Sequence, residues 1–153
     1  MILNENNFVI NLIQISSNKT VTCNEIKNND GFTSNNSANI LGHNNLKYKL
    51  MFSNIELLED TEYVIFQISI KYNDKYYNPY LFTYIEIKNS NNLIESPGRA
   101  LTYTLFDKKF DFVWIYITKD YVQEIINKFS SSDKIIETQK YIKEYIQINQ
   151  DFN

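Results

Sequence analysis

The stretch Tyr63–Lys88, YVIFQISIKYNDKYYNPYLFTYIEIK, decides the fold class of this 153-residue chain. Val64, Phe66, Ile68, Ile70 and Tyr72 alternate with Ile65, Gln67, Ser69 and Lys71, the period of two that puts one set of a strand's side chains on a buried face. Asn73 and Asp74 follow directly, and both residue types tolerate the left-handed backbone that a tight hairpin turn needs. Burying the first set contributes on the order of 10 kcal/mol before conformational entropy is subtracted. The stretch predicts an antiparallel hairpin large enough to organise a core.

Toward the N-terminus, Phe8 to Ile15 reads as a strand with Phe8, Ile10 and Leu12 on one face, continued by Val21 and Cys23 after a turn at Ser16 to Lys19. Residues 24–45 are polar and Asn-rich and include Gly31 and Gly42, which predicts a long loop. Leu46, Tyr48, Leu50 and Phe52 alternate with Lys47, Lys49 and Met51, a half-buried strand with one exposed side. Glu59, Asp60 and Glu62 mark an exposed corner before the central hairpin.

On the other side, Asn89 to Asn92 and Ser96-Pro97-Gly98 read as turns. A second hairpin follows, with strands at Leu101–Phe106 and Phe110–Thr118 around Asp107-Lys108-Lys109. Strict alternation puts Phe110, Phe112, Trp114 and Tyr116 on one face and Val113, Ile115 and Ile117 on the other. A strand apolar on both faces is either covered twice or lines a hydrophobic cavity. Tyr80, Phe82 and Tyr84 form a similar row and are its expected opposite number. From residue 120 to 148 the period becomes helical, with Asp120 as the expected cap, an interruption at Ser130–Ser132, and a second stripe through Ile135, Ile142 and Ile146.

Composition narrows the function classes. The formal net charge is −3 and Arg99 is the only arginine, a poor match to nucleic-acid binders, which carry basic faces and arginine forks. The first residues, MILNENNFVINLIQI, lack a basic leader region, and no run approaches the roughly 18 apolar residues of a membrane span. The expectation is a protein cytoplasmic at synthesis, without a transmembrane segment, and released, if at all, without a Sec signal peptide. Twelve Tyr, ten Phe and one Trp, concentrated in the strands, favour β structure and supply broad amphipathic surfaces.

Chemistry is sparse. A nucleophilic dyad would need Cys23 and the single histidine, His43, and no motif frames either residue. One His and one Cys cannot close a four-ligand zinc set. An EF-hand register with Gly31 at position six puts Ile26 and Ser37 where carboxylates are required. The acids around Glu59 read as a solvated turn. No catalytic residue, metal or cofactor is expected. The aromatic rows Tyr80, Phe82, Tyr84 and Phe110, Phe112, Trp114, Tyr116 are either core or a contact surface for a lipid or a partner protein. Lys71, Lys75, Lys108 and Lys109, at or near the hairpin turns, are candidates to meet lipid phosphates.

From MILNENNFVINLIQISSN through FDFVWIYIT to the C-terminal helical pattern, the chain resembles the smallest OrfX proteins of clostridial botulinum neurotoxin OrfX-type gene clusters. The resemblance implies a tubular-lipid-binding (TULIP-like) architecture, a strongly curved antiparallel sheet wrapping a helix. It also implies binding of acidic lipid or phosphoinositide, association with a larger OrfX protein, and a neurotoxin accessory role. It carries no motif from which functional residues can be transferred. The sequence thus points to a single α+β domain spanning 1–153, a curved antiparallel sheet of about five to seven strands packed on a C-terminal helix, with binding and not catalysis as its work. A pure assembly module with no lipid ligand is the alternative.

Overall fold

The computed structural model describes residues 3–40, 43–77, 83–87, 91–96 and 98–135, with backbone alone at 35–40, 43–45, 83–84 and 91–96. A short 3-10 turn (Glu5–Asn7) leads into β1 (Phe8–Ser16), β2 (Val21–Ile26), β3 (Gly31–Ile40), β4 (His43–Glu56) and β5 (Thr61–Tyr72). Then come β6 (Lys75–Tyr77), β7 (Thr83–Glu86), β8 (Asn91–Ser96), β9 (Arg99–Phe106), β10 (Lys109–Thr118), α1 (Lys119–Lys128) and β11 (Ser131–Ser132).

The central hairpin turns where its chemistry says it should. Asn73 and Asp74 have φ of 51° and 60°, the double left-handed geometry that matches the twist of the flanking strands. The return strand comes in pieces: β6 pairs with β5 from Tyr72↔Lys75 to Ile70↔Tyr77, and β7 from Phe66↔Thr83 to Tyr63↔Glu86. On its other edge β5 pairs with β1.

The architecture is α+β, a curled half-barrel of antiparallel strands with one helix near the C-terminal end of the described chain. Hydrogen bonding divides the strands between two sheets. One runs β11-β6-β5-β1-β2 with β7 also on β5, and the other runs β3-β4-β10-β9-β8. They share one core. Phe8, Ile10, Leu12, Val64, Phe66, Ile68 and Ile70 of the first meet Tyr48, Leu50, Phe52, Leu101, Tyr103, Leu105, Val113, Ile115 and Ile117 of the second. The alternation read from β1 and β5 selects these inner residues correctly.

The Asn-rich stretch is not the long loop its composition suggests. β3 occupies Gly31–Ile40 and pairs with β4 from Gly31↔Met51 to Ile40↔His43. Asparagine side chains extend that pairing beyond the strand. Asn29 Nδ2 donates to the Ser53 carbonyl and its Oδ1 accepts from the Ser53 N–H, both at 2.8 Å. Asn28 Oδ1 accepts from the Met51 N–H at 3.2 Å. Carboxamides here stand in for peptide groups, a competition with the backbone that composition alone scores as loop. Likewise, Asn91 and Asn92, read as turn residues, lie in β8.

α1 follows β10 directly. Its cap is Thr118, whose Oγ1 accepts from the Tyr121 N–H at 3.1 Å, while the expected cap, Asp120, sits in the first turn, where the helix dipole favours a negative charge. Val122 and Ile125 are fully buried in the shared core. Gly98 fixes the approach of the helix: with φ of 77°, an added Cβ would lie 2.5 Å from Tyr121 Cγ, while its carbonyl accepts from the Thr118 N–H at 2.9 Å. The helix ends at Lys128 and β11 returns to pair with β6. The rest of the expected helical region, 136–148, lies outside the described residues.

Candidate binding face

One extra residue decides which aromatics of β10 face outward. Phe110 pairs with Leu105 of β9, but Phe112 pairs with Thr104, so β10 bulges at Asp111. β4 keeps step with β10 because it deviates at the same level, where Asn54 has φ of 54°. The bulge corrects the expected alternation. Phe110 turns inward to 0% exposure and meets Phe66 and Tyr103 edge-on, with ring centroids 5.6 Å away in each case. Phe112, Trp114 and Tyr116 stay together on the opposite, outer face, each half-buried.

That outer face is built from three strands. Register sets Tyr116 beside Lys49, Trp114 beside Met51 and Phe112 beside Ser53 of β4, and sets Trp114 and Phe112 beside Thr102 and Thr104 of β9. The Phe112 and Trp114 rings lie 4.6 Å apart. The Lys49 ammonium sits 4.1 Å from the Trp114 centroid and 5.3 Å from that of Tyr116, and Lys47 is 5.3 Å from the same tyrosine. Each such contact contributes about 0.5–2 kcal/mol, depending on how dry it is. Lys47 is only 4% exposed. Burial, followed by the nearby charge of Lys49, holds its pKa below the usual lysine value. The Trp114 Nε1–H is shielded from solvent and has no hydrogen-bond partner among the described residues.

The turn lysines do not join this constellation. Lys71 lies over Tyr76 at 5.7 Å, Lys75 pairs with Asp133, Lys108 donates to the Thr61 carbonyl, and Lys109 is 3.9 Å from Asp111. The lysines that flank the aromatic row are Lys47 and Lys49. Their i, i+2 spacing on the side of the strand away from the core is visible in the sequence, but the strand pairing that brings them to Tyr116 and Trp114 is not. Of the second row, Tyr80 and Phe82 lie outside the described residues, and Tyr84 is described by its backbone alone, in β7 on β5. β10 itself lies between β4 and β9.

Other candidates are weaker. Cys23 is exposed on β2, and His43 opens β4 with only its backbone described. Glu59, Asp60 and Glu62 are exposed at the β4–β5 corner. Among the described residues no group of His, Cys, Asp and Glu is placed to hold a metal ion, and no helix is long and apolar enough to cross a membrane. A cleft of about 280 Å³ opens between the sheets beside Glu5, Glu25 and Asn28. Its floor residues Phe8, Ile10, Leu50 and Phe52 are at most 7% exposed, so an apolar ligand there gains little new contact. Comparison of the chain with models of known families, with curated proteins and with solved structures returned no match.

Proposed function

We propose that this chain is a non-enzymatic lipid-binding protein that lays the outer face of its five-stranded sheet against an anionic membrane surface. The observation that carries the reading is the Lys49 ammonium held over Trp114 and Tyr116 on a half-exposed strand face. Aromatic rings with a polar edge partition to the boundary between headgroups and acyl chains, and each lysine near an anionic leaflet contributes about 1 kcal/mol. The Lys49 charge lies close enough to Lys47 to add to the lowering of its pKa by burial. A headgroup phosphate of higher charge gains more from the half-exposed Lys49 ammonium than a singly charged one, which favours phosphorylated headgroups such as phosphoinositides. The described outer-face positions of β4 and β9 beside Trp114 and Tyr116 carry no carboxylate. An accessory role beside a larger OrfX-type partner is the biological setting that the sequence resemblance implies for such a protein.

Vesicle flotation tests the proposal, and Trp114 supplies the second readout because it is the only tryptophan. The full chain should float with vesicles containing phosphoinositide, stay behind with neutral phosphatidylcholine, and shift its tryptophan emission to the blue on binding. Equal recovery with both lipids, or none with either, removes lipid recognition and leaves the protein-assembly reading.

A further inference from the structure

We propose that Phe106, at the end of β9, is the apolar anchor of this face, separate in place and in physics from the lysine end that senses charge. The inference rests on the lipid-docking reading and extends it to a residue that the aromatic pattern of β10 does not include.

Phe106 is the most exposed large hydrophobic side chain among the described residues, at 73%. Parity puts it on the docking face, since Leu101, Tyr103 and Leu105 of β9 are buried inward and Thr102, Thr104 and Phe106 alternate with them. It pairs with Lys109, just beyond the bulge that turns Phe112 outward. The face is therefore a band of rings running from Tyr116 through Trp114 and Phe112 to Phe106. Nothing inside the sandwich requires a phenylalanine there, and the next residues, Asp107 and Lys108, are held in a tight turn with φ of 50° and 62°. A rigid hairpin tip presenting a bare ring loses little conformational freedom on insertion.

The charges at the two ends of the band differ. Beside Tyr116 and Trp114 stand Lys47 and Lys49. Beside Phe106 stand Glu56 and Lys109 in register, then Asp107, Lys108 and Asp111, with Lys109 facing Asp111 at 3.9 Å and Lys108 turned to the Thr61 carbonyl. This end carries three acids against two lysines, so headgroup charge does not draw it to an anionic surface. What it offers is apolar area. Sinking a phenylalanine ring into the boundary region takes that area out of water, a gain that salt does not screen, whereas attraction through Lys49 falls with ionic strength.

The test is a double dissociation on phosphoinositide-containing vesicles at low and high salt. Phe106→Ala should weaken partitioning about tenfold at both salt concentrations, and Phe106→Leu should restore most of the loss. Lys49→Gln should weaken it at low salt and converge on the wild type at high salt. Because the ring is exposed, each Phe106 variant should melt with the wild type. If the wild type floats and Phe106→Ala floats equally well, the anchor is wrong while lipid docking stands. A Phe106→Ala defect that vanishes at high salt overturns the division of labour. If the wild type floats with no vesicle, the docking reading fails first and takes the anchor with it.

Discussion

The two sheets of this molecule treat their outer faces in opposite ways. On the first sheet the residues behind the core face of β1 and β5 are closed off: Ile13, Ile15 and Ile65 pack together, and Gln67 and Ser69 beside them are buried. Polar groups there are engaged, with Asn11 Nδ2 donating to Gln67 Oε1 at 3.4 Å. On the second sheet the outer face keeps Phe112, Trp114 and Tyr116 half open, and the Trp114 Nε1–H goes unpaired among the described residues. An unpaired, shielded donor costs about 1–3 kcal/mol. Among the described residues the first sheet's outer face is closed and the second's is half open, and it is this difference that the proposed docking uses.

The largest effect expected follows from the residue that creates this difference. Deleting Asp111 removes the extra position of β10 while Asn54 of β4 keeps its own, so the residues on one side of the deletion must present the wrong face. Either Phe110 leaves the core or Trp114 and Tyr116 are driven into it. Loss of about 4 kcal/mol or more is expected, read as absence of a cooperative thermal transition. A deletion variant that melts like the wild type would show that the bulge does not assign the two faces.

The contrast sharpens with one truncation on each face. Ile65→Ala empties a fully buried site and should cost about 2–5 kcal/mol by chemical denaturation. Trp114→Ala removes a half-open ring and should cost less than about 2 kcal/mol, while abolishing most of the flotation. Equal destabilisation by the two changes would mean that Trp114 is core in all but position, and the binding face would lose its centre.

Most of the inner architecture is legible in the sequence because it depends on period and on turn chemistry. Val64 to Ile70, Phe8 to Leu12 and the Asn73-Asp74 turn behave as local rules require. The candidate binding face is only half legible. Its aromatic row stands out, but the bulge at Asp111 has no local signature, since it is fixed by the pairing of β10 with β9 and with a β4 that bulges at Asn54. Phe110 is therefore misassigned by strict alternation. Lys47 and Lys49 are visible as strand lysines on the polar side of the alternation, yet their contacts with Tyr116 and Trp114 exist only once β4 and β10 are side by side. β3 is missed for a different reason: Asn-rich sequence has low strand propensity, and long-range pairing to β4 overrides it.

The smallest effect expected concerns the edge of the closed sheet. β11 holds to β6 through two residues, Ser131↔Tyr77 and Ser132↔Tyr76, and through the ion pair of Lys75 with Asp133. Hydrogen bonding and then charge from Lys75 hold the Asp133 pKa below its ordinary 3.8, and the reciprocal contact raises Lys75 above 10.5. Because the aspartate's folded value is depressed, its contribution is present above 3.8 and disappears as pH falls through the lowered folded value. Because the lysine's is raised, its contribution is present below 10.5 and disappears as pH climbs through the higher folded value. Both groups are solvated, so the tether is local. Amide protection at Ser131 and Ser132, corrected for intrinsic exchange, should be flat across the neutral range, fall in acid, and fall at neutral pH in Asp133→Asn, while amides of β1 and β5 keep theirs. Loss of protection spreading into β5 in that variant would mean that this edge braces the closed sheet as a whole, and the difference between a finished and an unfinished outer face would then owe something to Asp133.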